Sequence, residues 1–290
     1  MTEYRRRLRF HQARWREAHG LPIGTQPIVP RPGVPVRPVG SRLPLDYGRD
    51  TGASFLSAAA RAAARERTAI VEPHQSFDHQ RLWADLLSSA ALSFNLCGGL
   101  AADLASADRA VHTWWPDAPG TVCEVRFAHS PGRLDPGYLN SLRAFDAAFV
   151  LDVGGGERAL IGVDVNYHER NKVEQPKPRN AVRNMEVCDR SGAFAPTARQ
   201  LLGRTDLAVM WLEHLLLHSM LQHESGTWTW GRYVVVYPEG NVDLTDAVSR
   251  YRAFLAVDAT YATMTVEELL AARTLPVATT KAVRTRYLLA

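Results

Sequence analysis

Residues 145–169 read FDAAFVLDVGGGERALIGVDVNYHE: two apolar runs on either side of three glycines. The pattern predicts two antiparallel strands about a glycine turn. Alternate residues of a strand share a face. Ile161, Val163, Val165 and Tyr167 therefore form one apolar face suited to a core, and Gly162, Asp164 and Asn166 form the other. With Gly154–Gly156 as the turn, Val153 pairs with Glu157, and counting outward places Asp146 opposite Asp164. Directly paired side chains stand about 4.5–5.5 Å apart at Cβ. Asp152 lies beside the turn, roughly 20 Å along the strand from Asp164 at about 3.3 Å per residue, which leaves Asp146 as the partner.

Two facing carboxylates repel unless a proton or a cation lies between them. Hard oxygen donors without sulfur suit Mg²⁺ or Mn²⁺, and such an ion can activate water and bind a phosphate oxygen. The other reading of the same geometry is a pair of acids at a solvated sheet edge. Geometry alone leaves both open.

The rest of the chain bounds what such a hairpin belongs to. Its 290 residues suffice for one large domain or two small ones. A net charge of +4 and a sequence pI near 9.1 are compatible with an anionic partner. Three cysteines at wide spacing (Cys97, Cys123, Cys188) form no CxxC pair and no disulfide framework, which points to a reducing compartment. No apolar run approaches the ~20 residues of a bilayer span, and no apolar stretch follows the basic N-terminus as in a secretory signal. The expectation is a cytoplasmic protein without a membrane segment.

Residues 1–47 read as a basic, proline-rich arm. YRRRLRFHQARWREAHG can form a short helix, and the prolines after it preclude regular structure. Its arginines are either solvated, the reading preferred here, or phosphate contacts. A domain over residues 48–275 and a tail over 276–290 follow. Within the domain, SFLSAAARAAARERTAIV predicts a helix capped by Ser54. FDHQRLWADLLSSAALSFNL predicts a second, stopped by Cys97-Gly98-Gly99. GTVCEVRFA predicts a strand, residues 173–196 a long loop, DLAVMWLEHLLLHSMLQ a buried helix, and WGRYVVVYPEGN a strand with a terminal turn. Two helices, at 244–255 and 266–273, close the domain. The fold class is α/β (α+β), a mixed sheet flanked by helices.

An acid on one strand and acid-x-Lys on the next, with helices before and after, is the pattern of the PD-(D/E)XK nucleases. The chain resembles a restriction-endonuclease-like family of that superfamily in ordered blocks from about residue 40 to about residue 270. These are SFLSAAARAAARER, LLSSAALSFNLCGGL, VCEVRFAHSPGR, AFDAAFVLD, IGVDVNYHE and VVVYPEGNVDLTDAVSRYRAFL. The resemblance implies metal binding by Asp146 and Asp164 and Mg²⁺- or Mn²⁺-dependent hydrolysis of DNA, with a homodimer as a compatible assembly. It places the motif lysine at position 166, which is asparagine. An amide can hydrogen-bond a water or a phosphate, but it carries no charge and cannot act as a base. Three readings follow: the lysine's role has moved to Lys172 or Lys177, Asn166 suffices beside the metal, or the protein binds nucleic acid without cutting it. Catalysis is the preferred expectation, with a non-catalytic nucleic-acid-binding module as the alternative.

Other residues carry less. Glu124 is either a third metal ligand or, as preferred, the partner of Arg126. Glu169 is an acid behind the metal ligands or a strand-end charge. His214 and His218, at i, i+4 on an apolar helix, read as a packed pair rather than a zinc site, because no further ligands accompany them. Trp114–Trp115 and Trp228/Trp230 could stack bases, though packing is the commoner use.

Overall fold

A computed structural model describes residues 3–26, 36–169 and 178–289. Helix α1 (Glu3–Ala18) comes first, then a small ribbon of β1 (Gly24–Thr25) and β2 (Pro38–Val39). Helices α2 (Leu45–Thr51) and α3 (Ala58–Ala69), a π-helical turn at Gln80–Ala84, α4 (Ser89–Ala102) and α5 (Leu104–Trp114) precede the main sheet. Strands β3 (Thr121–His129), β4 (Phe145–Gly154) and β5 (Glu157–Val165) follow one another. Helices α6 (Pro178–Ser191), α7 (Ala198–Leu201) and α8 (Ala208–Leu221) lead to β6 (Trp228–Tyr237). Then come α9 (Val242–Arg252), β7 (Tyr261–Thr265), α10 (Val266–Ala271) and α11 (Val277–Tyr287).

The main sheet has the order β3-β4-β5-β6-β7. Its first three strands are antiparallel, and β6 and β7 join in parallel. This is the expected mixed α/β sheet flanked by helices. The hairpin register is also as expected: Ala147 pairs with Val163 and Ala148 with Gly162, so the next position brings Asp146 to Asp164. A bulge between Asp152 and Gly154 pairs Gly154 with Glu157, in place of the expected Val153.

The two faces of the hairpin differ from the sequence reading. β4 and β5 are interior strands, and both faces are covered. Ala147, Phe149, Ile161, Val163 and Val165 pack into one core with α3, α4 and α5. Ala148, Val150 and Leu160 pack into another with α6, α8 and α9. At Gly162 an added Cβ would lie 2.6 Å from Phe145 Cδ1. A sheet-edge location for the two acids is thereby ruled out.

Several local expectations are corrected. Ser57, not Ser54, caps α3, accepting from the Ala60 N–H, while the buried Ser54 hydroxyl donates to the Trp83 carbonyl. The expected second helix is interrupted. Asp85 leaves helical geometry and bonds Arg42, and Ser88 starts α4 afresh by accepting from the Ala91 N–H. Cys97-Gly98-Gly99 does not stop α4. A Cβ on Gly98 would meet the Ala60 Cα at 2.5 Å, so that glycine lets α3 and α4 approach closely. The segment read as a loop contains α6, which begins at Pro178, where a missing N–H costs no helical hydrogen bond. α5, β7 and α11 were not anticipated.

The termini pack on the body. Leu8 of α1 is fully buried, and Arg16, rather than being solvated, bonds the carbonyls of Gly40 at 2.8 Å and Leu21 at 2.6 Å. Gln12 donates to the Tyr167 hydroxyl and to the Arg286 carbonyl, and Arg286 of α11 is itself fully buried. Residues 1–47 and 276–290 thus each contribute a helix that braces Tyr167, the residue after Asn166.

The glycine pair in α4 makes a test. Gly98→Ala should destabilise the fold by roughly 1–3 kcal/mol through overpacking. Gly99→Ala, with nothing within 4 Å of its added Cβ, should be neutral or stabilising by up to about 1 kcal/mol. Urea unfolding of both variants checks the contrast.

Candidate active site

Asp146 stands near the start of β4 and Asp164 near the end of β5, and both line one cavity of about 320 Å³ together with Asn166, Glu169, Arg81 and Ser89. The antiparallel ladder brings the two acids together: one oxygen of Asp146 accepts from the Val165 N–H at 2.8 Å. Both carboxylates are half-buried. Burial, and then the neighbouring Asp164, pushes the Asp146 carboxyl up to about 8. Burial also raises Asp164, against hydrogen bonds that favour its anion.

Asn166 lies two residues beyond Asp164 and turns back on it. Its amide donates to Asp164 Oδ2 at 2.6 Å, while its own N–H extends the parallel ladder to the Val236 carbonyl at 2.8 Å. The amide therefore satisfies one oxygen of the Asp164 carboxylate. The Tyr233 hydroxyl lies 3.3 Å from the same oxygen and 3.0 Å from Glu213 Oε2.

Glu213 is, with Arg81, Ser89 and Tyr233, a site residue that the sequence reading missed. It is the one acid in α8, whose other residues are apolar apart from His214, His218 and Ser219, and that isolation was the available signal. Burial and then Asp164 raise its carboxyl well above the ordinary range, against the Arg143 guanidinium 3.6 Å away, which favours its anion.

Glu169 is held differently. Burial opposes its charge, but His168, Arg81 and Ser89 keep it below the ordinary glutamate range. Its Oε2 accepts from the Tyr167 and His168 N–H groups at 2.9 and 3.0 Å and from the Ser89 hydroxyl. Its Oε1 pairs with Arg81. Glu169 is thus a fixed anion that orients Arg81, a cation on the cavity wall.

Glu124 is paired with Arg126 at 2.6 Å and lines a different cavity, as the preferred reading had it. Lys172 and Lys177 lie outside the described residues. His214 and His218 form a packed pair. His214 is bonded to Tyr251 and Thr260, His218 also reaches Thr260, and burial lowers both. Trp114 and Trp115 are buried against Phe149.

The cavity is shaped by backbone under strain. Ala128, on its wall, has φ 47°, unusual for a residue with a Cβ. Arg133 donates to its carbonyl at 2.8 Å, and Arg67 to the adjacent Phe127 carbonyl at 2.7 Å. Two guanidinium groups thus hold the end of β3, which stands beside Asp146.

Two coupled carboxylates, one pushed toward the neutral form by burial and by the other, are a donor set that suits a hard divalent cation. Among the described residues, no group of three or more His, Cys, Asp or Glu side chains is arranged to hold a metal.

The chain matches the family model of the PD-(D/E)XK nuclease superfamily over residues 2–289. It belongs to that superfamily. No curated protein and no solved structure matches it. Among the described residues no single helix is long and apolar enough to cross a membrane.

Asp146 sets a pH test. Its folded value of about 8 lies above its ordinary 3.8, so the folded state binds the extra proton. The stability this contributes is complete below the lower value and is lost as pH rises through the upper one. Asp164 and Glu213 act in the same direction, and Glu169 in the opposite one. In EDTA, the melting temperature should fall as pH rises from about 5 to about 8, and Asp146→Asn should flatten part of that slope.

Proposed function

We propose that the protein is a metal-dependent endonuclease that hydrolyses DNA phosphodiester bonds, with Asp146 and Asp164 holding Mg²⁺ or Mn²⁺. The observation that carries this reading is the Asp146–Asp164 pair, on adjacent strands and lining one cavity. When bound, the ion would supply charge against the phosphate and activate water.

The chain's own groups have separate tasks. The Val165 N–H and the β4–β5 ladder fix Asp146. Asn166 and Tyr233 orient Asp164 through the same oxygen. Asn166 would contact the attacking water or a phosphate oxygen when a substrate competes for its amide. Arg81, held by Glu169, would offset charge at the phosphate as it grows in the transition state.

One observation favours a second reading, a non-catalytic nucleic-acid-binding module. Asn166 has no charge, and its amide is already committed to Asp164. The acids would then hold an ion that anchors a phosphate without cleavage.

A plasmid-nicking assay with Mg²⁺ and with Mn²⁺ separates the two. The wild type should cut weakly, and Asp146→Ala should abolish cutting. Asn166→Lys should raise the rate by up to about 10²–10³, the worth of preorganised charge at a developing anion. If Lys172 or Lys177 already supplies that charge, Asn166→Lys should give no gain, and alanine at the supplying lysine should be severe. Absence of cutting by every variant, on duplex and single-stranded DNA, would replace the catalytic reading with the second one.

A further inference from the structure

The edge strand β3 forms one wall of a separate cavity, of about 620 Å³, within the size range of small-ligand sites. Glu66, Ile70 and Glu124 are exposed at its mouth. His129 and Ser130, where β3 ends, also line it, and both are more than nine-tenths buried. Neither His129 Nε2 nor Ser130 Oγ has a hydrogen-bond partner among the described residues. An unpaired polar atom in such a setting costs free energy that a ligand offering a partner recovers.

The cavity calls for hydrogen bonds rather than for net charge. Its guanidinium groups are already balanced: Arg126 pairs with Glu124 at 2.6 Å and Arg67 with Glu72 at 2.7 Å. Glu66 adds a further negative charge at the mouth, which opposes an anion. Burial, then Arg126, Arg133 and Arg67, push the His129 imidazole down to about 3. At neutral pH one ring nitrogen therefore donates and the other accepts, and the Ser130 hydroxyl can do either. Aromatic groups complete the lining: Tyr138, whose ring stacks on His223 at 4.2 Å, and the half-buried Trp228 at the start of β6. A flat heterocycle with donors and acceptors along its edge matches both features.

This cavity also borders the acidic one. Ala128 lines the cavity of Asp146 and Asp164, while its neighbours Phe127 and His129 line this one. Consecutive Cα atoms are about 3.8 Å apart, so the end of β3 is a thin partition. We propose that the cavity takes an unstacked nucleobase of the strand whose phosphodiester enters the Asp146–Asp164 cavity. The assignment rests on reading the acidic cavity as a nucleic-acid site. Bases and phosphates branch from the backbone in different directions, and the end of β3 would pass between them. Stacking on an aromatic side chain tolerates any base. His129 and Ser130, by contrast, meet the hydrogen-bonding edge, so they would set a preference among bases.

The test is fluorescence anisotropy of the full-length chain in EDTA with two labelled single-stranded oligonucleotides of equal length, one of mixed sequence and one abasic throughout. The wild type should bind the base-bearing strand roughly tenfold more tightly than the abasic one. Trp228→Ala and Ser130→Ala should each cut that ratio several-fold, through weaker binding of the base-bearing strand. Ser130→Ala should keep or raise the melting temperature, because it removes a polar atom without a partner. A clear fall would mean that the hydroxyl is satisfied within the fold, which contradicts the site. Adenosine, guanosine, cytidine and thymidine, each added alone to the wild type and to Ser130→Ala, supply the second arm. If one of them raises the melting temperature of the wild type only, while the strand ratio is the same in all three chains, the cavity serves a free nucleoside and the strand assignment is overturned. An unchanged ratio with no nucleoside response overturns the site altogether. Binding of neither oligonucleotide overturns the nucleic-acid reading of the acidic cavity, and the strand assignment with it. Cutting of DNA by a wild type whose ratio the variants share overturns this proposal alone.

Discussion

The fold places two carboxylates side by side on interior strands, and much of the surrounding structure answers the repulsion between them. Burial raises both, and the neighbouring Asp164 makes Asp146 harder still to ionise. The Val165 N–H offers Asp146 one hydrogen bond, and the Asn166 amide and Tyr233 hydroxyl offer Asp164 two more. Glu213, pressed against the same pair, is pushed furthest toward the neutral form by burial and then by Asp164. Glu169, a few residues on, keeps its charge because Arg81, His168 and two backbone N–H groups meet it. Environment alone thus sets four acids apart: three are pushed toward the neutral form and Glu169 is held as an anion.

That arrangement depends on parts of the chain far away in sequence. Tyr167 directly follows Asn166, and it is held by Gln12 of α1 and packed edge-on against Tyr287 of α11. Arg286 is buried between the two terminal helices, with its guanidinium over the Trp15 and Tyr287 rings. The strand end that carries Asp164 and Asn166 is therefore clamped by both ends of the chain. Loosening α1 would reach the acids through Tyr167.

The hairpin was legible in the sequence because its alternation and its three glycines fix both pairing and register. Asp146 opposite Asp164 followed by counting. The burial of both faces was harder to read: Gly162 has no side chain to declare a core position, and only the approach of Phe145 reveals one. The break at Asp85 was hidden because Asp85 is excluded from helix by a bond to Arg42, 43 residues away. Local propensity carries no such information. Gly98 misled for the same reason, since its partner Ala60 lies on another helix. Glu213 and Arg81 reach the acids only through tertiary packing, of α8 against β6 and of the π-helical turn against Glu169.

We infer that Asp146 and Asp164 together form a divalent-cation site. Isothermal titration of the full chain with Mn²⁺ at about pH 8, where the carboxylates can release their protons, tests it most directly. The account predicts a saturable site that is lost in Asp146→Asn and in Asp164→Asn, and retained in Glu124→Gln. Equal Mn²⁺ binding by the wild type and both aspartate variants, or no binding by the folded wild type, would contradict it.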